Sequence, residues 1–172
     1  MLSKTVVNAL NDQVAREASS SQYYLAMASW AELQGFPGVS EFFYKQSDEE
    51  RQHMLKLVKY INERGGKTEV RALEAPPTDW DNLNAVFSQL LEHEMRISAS
   101  INSLVEVCLN EKDFTTQNFL QWYVAEQIEE EAVARTIMDK LNLIGDDKGG
   151  LYLFDRDVQN LSVETAASAN PV

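Results

Sequence analysis

The stretch Glu49-Glu50-Arg51-Gln52-His53 lies in the middle of a long helical pattern and places a carboxylate three residues before an imidazole. Residues at this spacing lie on one face of a helix, one turn apart. The rest of that face is apolar and carries Phe43, Met54, Leu57 and Ile61. A carboxylate on an apolar face costs several kcal/mol unless a positive charge meets it. The pattern therefore suggests a metal site, although a core histidine beside a surface glutamate would give the same short pattern.

Composition indicates one globular domain. The chain has 172 residues, 44% of them hydrophobic and 24% charged. Its 15 basic and 27 acidic residues give a net charge of −12, which argues against nucleic acid or an anionic membrane as a partner. We find no apolar run typical of a signal peptide or of a membrane span. The single Cys108 lies among apolar residues, as expected for a buried thiol in a reducing compartment. We therefore expect a cytoplasmic protein.

Hydrophobic periodicity predicts four long helices. Capping residues and glycines place them from Ser3 to about Leu33, from Val39-Ser40 to Gly65-Gly66, from Thr78 or Asp79 to about Asn110, and from Asp113 to Leu143. The polar segment between the second and third helices is unusually long. About 15 extended residues at ~3.3 Å each reach about 50 Å, more than the ~39 Å of a helix of about 26 residues. We therefore expect the third helix to run parallel to the second.

A short fifth helix is predicted after Gly145, because Leu151, Phe154, Val158 and Leu161 share one helical face. So much apolar surface needs a partner, either the end of the bundle or another subunit. The small, polar segment 162–172 is predicted to be a disordered tail. The predicted fold is all-α. It is a four-helix bundle over residues 1–161, with a long crossover between the second and third helices and a short fifth C-terminal helix.

Each predicted long helix carries an inward polar group near its midpoint. These groups are Glu17, Glu50 with His53, Glu94, and Gln127 with Glu130. In a four-helix bundle the midpoints share one layer, an arrangement for which ferritin-like proteins are the standard example. Four uncompensated carboxylates would cost more than the stability of a domain, so they share protons or bind cations. Many carboxylates with one imidazole suit iron or manganese, whereas salt bridges or exposed glutamates are the alternative.

The order Glu17, Glu50-x-x-His53, Glu94, Gln127-x-x-Glu130 resembles the ferritins, in particular the prokaryotic non-haem type, over nearly the whole chain. The general di-iron pattern of this superfamily has E-x-x-H on both the second and the fourth helix. The fourth helix here carries Gln127-x-x-Glu130 instead, which weakens the similarity to rubrerythrins and bacterioferritins. Bacterioferritin also has a haem-ligating methionine just after the bridging glutamate. Arg51 stands at that position, so we predict no haem.

The resemblance implies a role for each residue of the layer. One iron ion would bind to Glu17, Glu50 and His53. The second would bind to Glu50, Glu94 and Glu130, with Gln127 close by and Glu50 as the bridge. Tyr24 would lie beside this site as a hydrogen-bonding and redox partner. A third iron site, on the cavity side, would use Glu49, Glu126 and Glu129 together with Glu130. His93 directly precedes Glu94 but points to another side of the helix, so we expect it at the boundary of the core.

The resemblance also implies a function, which is iron storage with ferroxidase activity. Two Fe(II) ions would give electrons to O₂ or H₂O₂, and the Fe(III) product would be stored inside a homo-oligomeric shell of 24 subunits. Two other functions stay open. A di-iron oxidase would act on an organic substrate or peroxide without storing iron, and a metal-free bundle would serve as an interaction scaffold. The sequence does not distinguish the two oxidants or show how iron enters the shell.

Overall fold

The computed structural model describes residues 2–161, and helices dominate that range. It contains α1 (Lys4–Leu33), α2 (Pro37–Glu63), α3 (Leu83–Asn110), α4 (Phe114–Ile144) and α5 (Lys148–Val158). The all-α fold predicted from the sequence is therefore confirmed, with four long helices and a short fifth. The predicted disordered tail, 162–172, lies outside the described residues. Within the described range, every helix is too short or too polar to cross a membrane.

Side-chain caps decide where most of the helices begin. Ser3 accepts a hydrogen bond from the Val6 amide at 3.2 Å, and Asp113 accepts one from the Thr116 amide at 3.0 Å, as predicted. The predicted start of α3 at Thr78 or Asp79 is wrong, because Asn82 caps this helix at the Ala85 amide. Two residues before this cap, Trp80 is buried against the bundle with only 8% of its surface exposed.

Two other predicted boundaries differ from the structure. Helix α2 begins at Pro37 rather than at Val39-Ser40, because proline is well suited to the first turn of a helix, where its missing N–H is not needed. Helix α5 covers Lys148–Val158, so Leu161 of the predicted apolar face lies beyond its end. Asp147 sets the start of this helix by accepting a hydrogen bond from the Gly150 amide at 2.6 Å.

Hydrogen bonds between the helices establish their directions. Ser21 and Ser47 each donate to the other's carbonyl oxygen at 2.7 Å, and farther along α1 the Ala28 carbonyl accepts from the hydroxyl of Ser40, so α1 and α2 are antiparallel. The pairs Ser20 with His93 and Gln13 with Ser100 likewise make α1 and α3 antiparallel. Helices α2 and α3 are therefore parallel, as the length of the crossover predicts. The crossover, residues 64–82, runs along the bundle to connect them.

The apolar core is divided into two clusters by a polar layer. One cluster includes Tyr24, Phe43, Leu90 and Ala134, and the other includes Val14, Leu57, Ile97 and Tyr123. Along each long helix, the gap between the two clusters contains buried glutamate: Glu17 on α1, Glu50 on α2, Glu94 on α3, and both Glu126 and Glu130 on α4. The four midpoints therefore meet in one layer, as the positions along the sequence predict.

Helix α5 packs across the end of the bundle. Phe154 is buried and contacts the ring of Phe87, and the Asp155 carboxylate accepts a hydrogen bond from the Val39 amide at 2.9 Å. Several apolar side chains near this end stay exposed, among them Leu143, Tyr152 and Leu153. The helix thus satisfies part of its apolar face within the chain and leaves other apolar surface available to a neighbour.

Gly38→Ala tests the docking of α5. A Cβ atom at Gly38 would lie 1.7 Å from the Asp155 carbonyl oxygen, so we expect α5 to shift and the free energy of unfolding to fall by about 1–3 kcal/mol. Thermal unfolding measures this loss. Gly149→Ala is the matched control, because its nearest atom outside the neighbouring residues lies at 3.5 Å. Equal melting temperatures for the two variants would contradict the close approach.

Candidate metal centre

The polar layer is almost completely removed from solvent. Its six predicted members are each 6% exposed or less: Glu17, Glu50, His53, Glu94, Gln127 and Glu130. All four long helices contribute, so the packing of the whole bundle brings these six side chains together. Burial in this surrounding strengthens any interaction between a carboxylate and a cation, because water does not screen it.

Glu17, Glu50 and His53 form the tightest group in the layer. One potential ligand atom from each lies within 4.8 Å of the others. The Oε2 atoms of Glu17 and Glu50 are buried and accept no hydrogen bond within the described part of the chain. His53 Nδ1 lies 3.7 Å from Glu50 Oε2. Buried carboxylate oxygens are nearly always satisfied, so these two atoms indicate a position for a cation.

Glu94 has a different environment in the same layer. The Tyr24 hydroxyl donates a hydrogen bond to Oε1, and the Gln127 amide donates one to Oε2 at 3.0 Å. Both oxygens are thus satisfied by the protein itself. Glu94 and Glu130 lie outside the group of three that could hold an ion, although they share its layer. The structure therefore brings together Glu17, Glu50 and His53, which could hold a cation, and the hydrogen-bonded carboxylate of Glu94 in the same layer.

Gln13 supports the layer, although the sequence interpretation did not include it. It is 2% exposed, and its amide donates to Glu17 Oε1 at 2.8 Å, which leaves Glu17 Oε2 directed elsewhere. Its own carbonyl oxygen accepts from Ser100 on α3 at 2.8 Å. The sequence does show that Gln13 lies one helical turn before Glu17 on the same face. It does not show the contact with Ser100, which comes from a distant part of the chain.

Burial sets the protonation of the layer. Desolvation is the largest cause that raises the pKa of Glu17, Glu50 and Glu130, and it raises the pKa of Glu94 to about 7. For Glu50, the negative charges of Glu17 and Glu94 act in the same direction. Burial, with the charge of Lys56, lowers the pKa of His53 to about 4. A neutral imidazole is the form that binds metal, while the carboxylates need a proton or a cation.

The candidate third site lies at the edge of the layer. Glu126 is 3% exposed, Glu49 is half-buried and Glu129 is exposed. Burial, followed by the charges of Glu129 and Glu49, raises the pKa of Glu126 to about 6. The carboxylate Oε1 of Glu126 also lies 3.9 Å from His53 Nε2. These side chains are close enough to influence one another, and their use as iron ligands stays a prediction.

His93 lies at the edge of the core, where its ring contacts Tyr24 edge to face. It is half-buried, its Nε2 is 2.7 Å from the Ser20 hydroxyl, and its ring stacks on Tyr23. This position at the edge of the core is the one predicted for it.

Trp122 contacts the His53 ring edge to face, with 5.2 Å between the ring centroids. It forms part of the wall beside the group of three.

Fold and site together define the class of protein. It is a helical bundle whose central layer of carboxylates and one imidazole could bind metal ions. The family model of the ferritin-like domain matches residues 7–144. A probable bacterial non-heme ferritin-like protein of Haemophilus influenzae is 46% identical over 164 residues, which are 95% of this chain and 99% of the relative. The bacterial non-heme ferritin of Campylobacter jejuni is 43% identical, over 95% of this chain and 98% of its own.

Solved structures agree with these sequence relatives. The open pore ferritin of Archaeoglobus fulgidus superposes with a TM-score of 0.91 at 44% identity, over 92% of this chain and 98% of that one. This chain belongs to the ferritin family. The resemblance inferred from the sequence is therefore confirmed at the level of the fold and the family.

Raising the pH should destabilise the metal-free protein. Glu94 has a pKa of about 7 in the folded chain against an ordinary value of 4.5, so the folded state binds more protons between these two values. The free energy of unfolding therefore falls as pH rises from about 4.5 to about 7, by at most about 3.5 kcal/mol for this group at ~1.4 kcal/mol per unit. Thermal unfolding with a chelator measures the slope. Glu94→Gln should show a shallower one, and equal slopes would contradict this assignment.

Gln13→Leu should weaken metal binding without exposing the site. Loss of the hydrogen bond to Glu17 frees that carboxylate to rotate, and losing such a supporting contact typically costs about 10–100-fold in metal affinity. Anaerobic titration with Fe(II) measures the change. Ser100→Ala is the milder comparison, because it removes only the partner of Gln13. An unchanged affinity in Gln13→Leu would show that Glu17 is held by packing alone.

Proposed function

We propose that this protein stores iron and has ferroxidase activity, oxidising Fe(II) to Fe(III) within the polar layer. The observation that carries the proposal is the pair of buried, unsatisfied oxygens on Glu17 and Glu50 beside a neutral His53. Membership of the ferritin family agrees with it. In this proposal iron is the substrate and the stored cargo.

The first Fe(II) binds to Glu17, Glu50 and His53, because their ligand atoms already lie close together. The second binds to Glu50, Glu94 and Glu130, with Gln127 close by. Glu94 must first exchange its hydrogen bonds to Tyr24 and Gln127 for the ion. The two sites therefore fill in this order, and Glu50 bridges them. Four carboxylates stabilise a trivalent ion more than a divalent one, because the interaction grows with the charge of the ion.

Two Fe(II) ions release two electrons when they become Fe(III). With O₂ as the acceptor, two protons are taken up and H₂O₂ forms. With H₂O₂ as the acceptor, two protons are taken up and two waters form. The anionic residues hold both ions at a fixed separation for this transfer, so the protein contributes chiefly positioning and electrostatics.

Further parts of the proposal rest on family resemblance. Glu49, Glu126 and Glu129, with Glu130, form a third iron site on the cavity side. Arg51 occupies the position of the haem-ligating methionine of bacterioferritin, and we expect no haem. We place the protein in the cytoplasm as a shell of 24 subunits. The exposed apolar side chains around α5 support contact between subunits.

Size-exclusion chromatography followed by aerobic Fe(II) titration tests the function. We expect a large particle that oxidises Fe(II) rapidly and takes up hundreds of iron ions. Glu50→Gln should assemble equally but oxidise Fe(II) at the background rate, because the bridging charge is lost. A particle that oxidises Fe(II) but takes up only a few ions per chain would instead favour a di-iron oxidase. A monomer whose melting temperature does not respond to Fe(II) would favour the scaffold.

A further inference from the structure

A run of polar contacts connects the metal layer to the outside of the bundle between α3 and α4. The Gln127 amide nitrogen donates to Glu94 Oε2 at 3.0 Å and lies 3.4 Å from the Ser98 hydroxyl oxygen. The Ser98 hydroxyl donates to Glu131 Oε1 at 2.5 Å, and the Arg135 guanidinium donates to Oε2 of the same carboxylate. The arginine side chain is 54% exposed. The contacts therefore lead from solvent to a buried carboxylate of the layer.

A pocket of about 220 Å³ lies beside these contacts and is open to solvent. Its lining includes Ser98, Gln127, Glu131 and Arg135. Gln127 itself is only 6% exposed, so the pocket reaches the wall of the buried layer. An amide group that borders a pocket has room to turn over. Its hydrogen bonds, more than its packing, therefore determine which end of the amide faces the layer.

The surroundings of Gln127 favour the nitrogen end of its amide. Three acceptor oxygens lie around this nitrogen: Glu94 Oε2 at 3.0 Å, the Glu94 carbonyl oxygen at 3.3 Å and the Ser98 hydroxyl oxygen at 3.4 Å. An amide nitrogen only donates hydrogen bonds, whereas an amide oxygen only accepts them. These three oxygens therefore attract the nitrogen and repel the oxygen. The amide oxygen is the atom of this side chain that could bind a cation, and it is kept away from Glu94.

Glu131 determines the role of the Ser98 hydroxyl. A hydroxyl has one hydrogen, and Ser98 gives it to Glu131 Oε1 because a carboxylate oxygen accepts. The Ser98 oxygen is then left as an acceptor toward Gln127. Without Glu131, the same hydroxyl could donate to the amide oxygen and would satisfy an inverted Gln127 equally well. The ion pair with Arg135 holds the Glu131 carboxylate in the position that prevents this exchange.

We propose that Ser98 and Glu131 are positioning residues that keep Gln127 a hydrogen-bond donor and prevent it from becoming a ligand of the second iron ion. This inference rests on the proposed ferroxidase function, in which the second ion binds to Glu94 and its neighbours in the layer. When that ion takes the Glu94 carboxylate, the Gln127 nitrogen loses one acceptor. The Ser98 oxygen and the Glu94 carbonyl oxygen still oppose inversion of the amide. The second ion is therefore held more weakly than it would be with an amide oxygen as an additional ligand.

Anaerobic titration of the assembled, iron-free protein with Co(II) tests this proposal. Calorimetry gives the dissociation constants of the first two ions, and the visible absorption of Co(II) weakens as the number of ligands rises. In Ser98→Ala the second ion should bind about 3–10-fold more tightly and absorb less, because the amide can invert at the cost of about one hydrogen bond less. The first ion should be unaffected. A second ion that binds no more tightly, with an unchanged spectrum, would overturn the proposal.

Three further variants distinguish positioning from a general loosening of α3. Ser98→Thr keeps the hydroxyl and should retain the wild-type constants and spectrum. Glu131→Ala frees that hydroxyl to donate to the amide oxygen, so it should tighten the second ion as Ser98→Ala does. Ser103→Ala is the matched control on the same helix, because the Ser103 hydroxyl donates to the Ala99 carbonyl oxygen one turn earlier. A tighter second ion in Ser103→Ala or Ser98→Thr would overturn the proposal.

A double-mutant cycle shows whether Gln127 is the added ligand. In a Gln127→Leu background the amide oxygen is absent, so Ser98→Ala should change neither the second dissociation constant nor the Co(II) spectrum. The two substitutions are then strongly non-additive, as expected for residues that act through one contact. An equal gain from Ser98→Ala in both backgrounds would show that the effect does not pass through Gln127, and would overturn the proposal.

The wild-type protein separates this inference from the proposed function. It is titrated with Co(II) without oxygen and, in a second sample, with Fe(II) in air. Two bound Co(II) per subunit and rapid Fe(II) oxidation, together with a Ser98→Ala variant that binds no more tightly, would overturn the role of Ser98 and Glu131 alone. Failure of the wild-type protein to oxidise Fe(II) above the background rate would overturn the ferroxidase function itself.

Discussion

The burial of four carboxylates in one layer is the constraint on which the rest of this structure depends. Each of these glutamates is 2% exposed or less, and burial raises the pKa of every one of them. The layer is therefore costly unless protons or cations neutralise it. Apolar clusters on both sides offset that cost. The long crossover completes the arrangement, because it allows α2 and α3 to run parallel while every helix still crosses the layer at mid-length.

Much of this was predictable because it follows from periodicity. A buried glutamate interrupts an apolar stripe, so Glu17, Glu50 and Glu94 are visible in the sequence before any contact is known. Their positions along four helices of similar length then predict a common layer. The direction of α3 follows from the reach of the crossover alone. These inferences need no side-chain geometry, which is why they agree with the structure and with the family match.

The features that escaped prediction depend on contacts between distant segments. Thr78, Asp79 and Asn82 can all cap a helix, and only the structure shows that Asn82 is the residue used. Gln13 looks like an ordinary helix residue until Ser100 and Glu17 are seen on either side of its amide. Nor does the sequence distinguish Glu94, whose two donors come from two different helices, from carboxylates with unsatisfied oxygens.

Hydrogen bonding divides the layer into two halves that differ in their readiness for a cation. Glu17 and Glu50 each keep one buried oxygen without a hydrogen-bond donor in the described part of the chain. Both oxygens of Glu94 are occupied instead, one by the Tyr24 hydroxyl and the other by the Gln127 amide. In the proposed function the first ion therefore meets unsatisfied oxygens, whereas the second must displace hydrogen bonds from two helices. Tyr24 and Gln127 thus set the order in which the two positions fill.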